Sequence, residues 1–223
     1  MELKQAIKKR HSVRQYTDKK IETGVVTALQ AEIDACNAAG GLHIQLITDE
    51  PKAFGSLMAH YGKFSGVSNY LALIGEKGAD LEEKAGFYGE RIVLLAQTLG
   101  LNTCWVAATF GKGAAKKNCQ IERNEKLVCV IAIGYGASKG VPHRSKPLEA
   151  LYKATGDLPG WFRAGMEAAA LAPTAVNQQK FLFTLSGDTV TGTSTGGPYS
   201  KVDLGIVKCH FAIGAGEKNF KWA

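Results

Sequence analysis

Two passages of this 223-residue chain repeat earlier ones, and a repeat constrains the fold more than any single motif does. Ile92-Val93, Gly100 and Trp105 are echoed by Ile206-Val207, Gly214 and Trp222. The helix-to-strand passage ending in His43-Ile44-Gln45-Leu46-Ile47-Thr48 is echoed by Glu167 to Ala172 leading into Phe181-Leu182-Phe183-Thr184-Leu185-Ser186. The two matches have different offsets, so the duplication is degenerate. Duplicated halves most simply pack as a pseudo-symmetric pair, with a crevice between them that can bury a ligand. The plainer alternative is that helix–strand passages merely look alike.

Hydrophobic spacing fills in the elements. Leu3, Ala6 and Ile7 sit at helical intervals in residues 2 to 9, and Val25, Leu29, Ile33 and Cys36 do the same over 22 to 38. Gly40-Gly41 stops that helix, and residues 43 to 48 alternate as a half-buried strand until Asp49-Glu50-Pro51 breaks it. The apolar run Tyr70 to Ile74 predicts a strand buried on both faces. Leu81, Ala85, Tyr88, Ile92, Leu95 and Leu99 form a helical stripe closed by Gly100, with strands to follow at 103 to 107 and 127 to 134. The expected fold class is α+β, with helices around a mixed or antiparallel sheet in two pseudo-symmetric, unequal halves.

A chain that is 45% hydrophobic and 21% charged can bury a full core in one large domain or two small ones. No run approaches the ~20 apolar residues of a membrane span, and the start passes to lysines and arginines without an apolar signal core. The expectation is a cytoplasmic protein with no membrane partner. Five cysteines, with no C-x-x-C among them, read as buried reduced thiols. A net charge of +7 suits nucleic acid, anionic lipid or a phosphorylated small molecule. No basic run is interleaved with aromatics, so nucleic acid is set aside.

Several catalytic signatures fail. Gly111 to Lys116 lacks the Gly-Lys-Ser/Thr order of a phosphate-binding loop, and Gly134-Tyr135-Gly136 has Lys139 where a dinucleotide fingerprint needs glycine. No H-E-x-x-H or other metal-ligand spacing and no G-x-S-x-G turn occurs, so neither a metal nor a serine nucleophile is expected.

Three segments carry chemistry instead. In Arg10-His11-Ser12-Val13-Arg14, an extended backbone would turn Arg10, Ser12 and Arg14 to one side, where two guanidinium forks and a hydroxyl can hold a phosphate. Alone this is weak, because basic helix ends often meet only the helix dipole and water. Pro142-His143-Arg144-Ser145-Lys146-Pro147 is a second basic segment, kept extended by its prolines. In Ala172-Pro173-Thr174-Ala175-Val176-Asn177-Gln178-Gln179 a proline ends a helix, small residues allow close approach to a planar ring, and Asn177 and Gln179 offer amides.

These segments, together with the helix running into Gly100-Leu101-Asn102-Thr103-Cys104-Trp105 and the basic loop before Pro147-Leu148-Glu149, resemble the FMN-dependent nitroreductase family. The likeness covers most of the chain and is greatest to members whose shortened second half forms a pseudo-dimer within one chain. It implies a main half, 1–155, carrying the phosphate site, and a second half, 156–223, supplying the flavin-lining turn. By the family pattern Arg10, Ser12, Arg14, Arg144 and Lys146 would hold the FMN phosphate and ribityl chain, and Pro173, Thr174, Ala175 and Asn177 would line the isoalloxazine. His11 belongs to the same motif, though in an extended segment it points away from the arginines. Ala107 and Ala108 fall in the turn that offers a backbone N–H to flavin N5; they stand where glycines are often found, and a positive φ there would strain them. Tyr61 and Lys63 would sit beside the pyrimidine end of the ring, the lysine stabilising negative charge on reduced flavin or else lying on the surface.

The implied activity is two-electron transfer from NADH or NADPH to an electron-poor acceptor, such as a nitro compound or quinone, by a ping-pong mechanism with no catalytic side chain. Another flavin chemistry on the same scaffold, or a flavin-storing protein, fits the same motifs. One departure matters. In ordinary members the Ala-Pro-x-x-x-Asn-x-Gln stretch follows the first motif by a few dozen residues and serves the partner subunit's flavin. Here the corresponding stretch, Asp34 to Gly41, lacks the proline and the matching amides. One chain would then supply both sides of one site, as a monomer or within a homodimer.

Overall fold

The apolar stripes become seven α-helices and eight strands in a computed structural model that describes residues 1–223. In chain order these are α1 (Leu3–Lys9), α2 (Thr23–Gly40), β1 (Gln45–Ile47), α3 (Leu57–Tyr61), β2 (Tyr70–Glu76), α4 (Leu81–Thr98), β3 (Asn102–Val106), α5 (Lys112–Lys117) and β4 (Glu125–Gly134). The remainder comprises β5 (Tyr152–Lys153), α6 (Gly160–Ala169), β6 (Phe181–Ser186), β7 (Thr189–Ser194), α7 (Ser200–Ala215) and β8 (Lys221–Trp222). The fold is α+β, as expected, with two separate four-stranded sheets.

The first sheet has the order β1-β2-β4-β3, every neighbour antiparallel. Its central strands are the apolar runs, and Tyr70 through Gly75 are all buried. The second sheet has the order β5-β6-β7-β8, in which a β6–β7 hairpin is flanked by two short parallel strands. The strand expected over 43 to 48 shrinks to Gln45–Ile47. Asn37 explains the loss: its side chain accepts from the Ile44 N–H at 2.7 Å and donates to the Ile44 carbonyl at 3.0 Å, occupying groups a longer ladder would use.

One hydrophobic cluster of 31 buried residues spans both sheets, joining Leu29, Leu73 and Ile131 to Phe183, Phe211 and Val190. The other face of the first sheet packs a second cluster, including Phe54, Phe64, Tyr70 and Val130. All five cysteines are free thiols, and burial pushes Cys36 and Cys129 up to about 12, which leaves them unreactive. No helix is long and apolar enough to cross a membrane.

Helices α4 and α7 cross with their backbones in contact. A Cβ at Gly205 would overlap the Glu83 carbonyl oxygen and stand 2.6 Å from the Phe87 nitrogen; at Gly86 it would overlap the Val202 carbonyl. Lys208 and Glu83 form an ion pair across the same seam. Gly214, the echo of Gly100, does not cap its helix: it lies inside α7, which ends at Gly216, φ 78°. Its missing side chain instead lets α6 approach, since a Cβ there would stand 2.5 Å from the Ala164 carbonyl.

Because the obstacles at Gly205 are backbone atoms that cannot rotate away, Gly205→Ala should destabilise the protein by about 3 kcal/mol, the upper end of overpacking costs. That corresponds to a melting temperature lower by roughly 6–12 °C for a chain of this size. Gly24→Ala, where nothing lies within 4 Å of the added carbon, should change stability by about 0.5 kcal/mol in the opposite direction. Paired thermal melts check the contrast.

Candidate functional site

The first wall begins where α1 stops. Arg10 turns the chain into extended conformation, φ −68° and ψ 124°. Ser12 then bridges Thr103 in parallel, and the Val13 N–H donates to the Thr103 carbonyl at 3.0 Å, so the motif lies along the edge of β3. Val13 is fully buried in the core, while Ser12 and Arg14 face the crevice. Arg10 faces the same crevice but is itself only 4% exposed.

The loop after β4 crosses directly over this segment. At Gly140, φ 69°, a Cβ would stand 2.8 Å from both the His11 Cβ and the Ser12 carbonyl, so a glycine is needed for the crossing. Beyond it, His143 and Arg144 reach the cavity that Arg10 and Arg14 line.

The third wall follows α6. Val176, Asn177 and Gln179 all take left-handed backbone, at φ 47°, 55° and 46°. For a β-branched valine that is 93% exposed, nothing local offsets the strain. Asp203, in the first turn of α7, holds the segment: its two oxygens accept from the Ala175 N–H at 3.0 and 3.1 Å, and one accepts from Gln178 Nε2 at 2.7 Å. Burial raises the Asp203 pKa, with these hydrogen bonds pulling it back. The buried Gln179 side chain accepts from the Lys146 N–H at 2.8 Å and donates to the Arg144 carbonyl at 2.8 Å, while Asn177 Nδ2 donates to that carbonyl at 2.9 Å. The basic loop and the left-handed turn are thereby stitched into one wall.

Between the walls lie two chambers. One, of about 670 Å³, is basic and includes Arg10, Arg14, Arg144 and His143. The other, of about 250 Å³, is mostly hydrophobic and includes Trp105, Ala107, Ala108, Ala175, Val202 and Ile206. They share Ser12, Arg14, Pro173, Thr174 and Val176, so they are two ends of one crevice. Two buried polar atoms at the basic end, Arg10 Nε and His143 Nε2, have no hydrogen-bond partner. Burial first, and then the Arg10 charge, hold the His143 pKa below the ordinary histidine value. Three guanidinium groups and orphaned polar atoms suit a phosphate, and the adjoining small-residue chamber suits a planar ring.

The family model described as "Putative TM nitroreductase" matches residues 2–215. The chain belongs to the nitroreductase family, and so to a family of oxidoreductases. Among solved structures, a "putative nitroreductase" from Thermotoga maritima is 24% identical, with a TM-score of 0.69 over 98% of this chain and 85% of that one. A "putative nitroreductase in complex with FMN" from Desulfovibrio desulfuricans is 21% identical, with a TM-score of 0.53 over 71% of this chain and 99% of that one. A "Putative NADH Oxidase" from Clostridium acetobutylicum is also 21% identical, with a TM-score of 0.52 over 66% and 96%. No curated protein matches the chain.

Within this nitroreductase fold, Arg10, His11, Ser12, Arg14, Arg144, Pro173, Thr174 and Asn177 meet at the basic chamber, and Ala107, Ala108 and Ala175 at the hydrophobic one. His11 does not point away: its ring Nδ1 meets the Lys139 carbonyl at 3.0 Å and it borders the cavity. Neither Ala107 nor Ala108 has a positive φ, so the expected strain does not arise. Lys146 lines neither chamber, and its ammonium donates to the Gln179 carbonyl at 3.0 Å, bracing the wall. Tyr61 and Lys63 line neither chamber. Tyr61 is 82% exposed, and the glycine between them packs over Thr109, which lines the hydrophobic end. Asp203 and His143 are the residues the motifs left without a role.

Gln179→Ala would strand the Lys146 N–H and leave the Arg144 carbonyl with Asn177 as its one donor, and should cost about 1–3 kcal/mol, read as a lower urea midpoint. His143 gives a pH signature. Its folded pKa lies below the unfolded ~6.5, so the stability it contributes is complete above that value and is lost as pH falls through the folded pKa. In His143→Gln that part of the decline, followed by denaturant unfolding between pH 7 and 5, should be absent.

Proposed function

We propose that the chain binds one FMN between its two halves, 1–155 and 156–223, and uses it to move two electrons from NADH or NADPH to an electron-poor small molecule such as a nitro compound or quinone. One observation carries this reading: a single crevice joins an arginine-lined end to a hydrophobic, small-residue end, and one chain builds both. The FMN-bound putative nitroreductase and the putative NADH oxidase among the structural neighbours agree with it.

Arg10, Ser12, Arg14 and Arg144 would hold the phosphate through charge-assisted hydrogen bonds, which are about twice as strong as neutral ones. Neutral His143 adds an orphaned ring nitrogen to the same wall without competing charge. Pro173, Thr174, Ala175, Ala107 and Ala108, which line the hydrophobic end, would pack against the ring. Bound FMN would supply the electron-carrying chemistry. The protein would bind and orient it, with donor and acceptor using the same crevice in turn, in ping-pong order.

Replacing both Arg10 and Arg14 with alanine should weaken FMN binding by about 10²- to 10⁴-fold, from two charged pairs at ~1.5–3 kcal/mol each. Flavin fluorescence titration of the apoprotein measures it. A wild-type protein that is colourless and cannot be reconstituted with FMN would refute the reading, and FMN binding without NADH or NADPH oxidation would leave a flavin-storing protein.

A further inference from the structure

Behind the phosphate wall lies a buried polar cluster that the site chemistry has not used. Glu90 on α4 and His210 on α7 are both 0% exposed. Glu90 Oε1 lies 2.8 Å from His210 Nε2 and 3.9 Å from Arg10 Nε, and Glu90 Oε2 accepts from the Trp105 indole N–H at 2.8 Å. The other ring nitrogen, His210 Nδ1, is 3.1 Å from the Ala168 carbonyl.

Donor and acceptor roles fix the charges. A carbonyl only accepts, so His210 Nδ1 carries a proton. The indole N–H donates to Glu90 Oε2 and the positive Arg10 guanidinium lies 3.9 Å from Oε1, a setting that suits the carboxylate rather than the acid. His210 Nε2 must then donate to it, which makes the ring an imidazolium. The cluster holds two positive charges and one negative, deep in the core, and the surplus sits on Arg10, whose far side opens on the basic chamber. Buried charge left unpaired is costly, and an anion in that chamber would complete the set.

We infer that Glu90, itself oriented by His210 and Trp105, is a positioning residue whose charge, 3.9 Å from Arg10 Nε, draws the guanidinium back by that end and so aims its terminal nitrogens at the ligand's phosphate. Through His210 the second half of the chain bears on the grip of the first half's arginine. This rests on the FMN reading above.

Glu90→Gln is the discriminating variant because it conserves net charge. A neutral His210 can keep its proton on Nδ1 and accept from the new amide at Nε2, leaving Arg10 as the one positive charge, the same surplus as before. FMN and riboflavin, which differ by the phosphate, are titrated into wild-type, Glu90→Gln, Arg10→Ala and double-variant apoproteins. We expect Glu90→Gln to lose about tenfold in FMN affinity, a modest share of what breaking a buried ion pair costs, with riboflavin affinity within about twofold, and to add nothing in the Arg10→Ala background. Equal losses for both flavins, or an undiminished preference for FMN, would overturn the positioning role and leave the FMN reading intact. A wild-type protein that prefers neither flavin would overturn both. If Glu90→Gln does not fold, ¹⁵N spectra of wild-type histidine rings decide: a doubly protonated His210 whose signal shifts when inorganic phosphate is added supports the cluster, and a neutral or phosphate-insensitive ring refutes it.

Discussion

The α4–α7 crossing sets the dimensions of everything that binds in this fold. Side chains normally keep helix axes 8–10 Å apart and can repack to adjust the gap, whereas Gly86 and Gly205 bring backbone against backbone and leave nothing to adjust. Each helix then carries one wall of the crevice. On α4, Gly89 lies under the Trp105 ring, 2.6 Å from where its Cβ would be, which seats β3 and the turn after it. On α7, Asp203 pins the amide of Ala175. The chamber between them has a width fixed by the crossing of the two helices rather than by the loops at its rim.

Such a frame makes the strain in the third wall intelligible. Left-handed Val176, Asn177 and Gln179 cost of order 1–3 kcal/mol each, and persist because Asp203, Gln178 and Gln179 over-determine the segment with partly buried hydrogen bonds. The return is preorganisation. A loop already ordered spends no ligand binding energy on its own entropy. The same bonds hold Arg144 in place through its carbonyl, leaving its guanidinium free for the chamber.

What was legible in the sequence was whatever depends on local periodicity. The stripes of α2 and α4, the stop at Gly41 and the buried run of β2 follow from spacing alone, and so does the alternation that turns Val13 inward and Arg14 outward. Illegible were the features decided by partners far along the chain. Nothing near Lys146 says that the Gln179 carbonyl waits for it 33 residues on. Nothing marks Asp203 as more than an acidic residue in a helix's first turn, where the dipole alone would favour it. Gly214 is the opposite case: a glycine near a helix end looks like a cap, and only the proximity of α6 shows that it is a contact.

The duplication acquires a thermodynamic meaning from these contacts. A site shared between subunits exists only at the fraction of assembled dimer and weakens with dilution. Here residues 10–14 and 173–179 belong to one chain and one hydrophobic cluster ties the two sheets together, so the crevice forms whenever the chain folds. The counterpart of the left-handed turn, near Asp34 to Gly41, lies instead against a filled space: a Cβ at Gly40 would meet the Tyr88 ring at 2.6 Å. With the crevice complete in one chain, α7 sets its buried Asp203 against the Ala175 amide and so fixes one wall from the same polypeptide that carries the other.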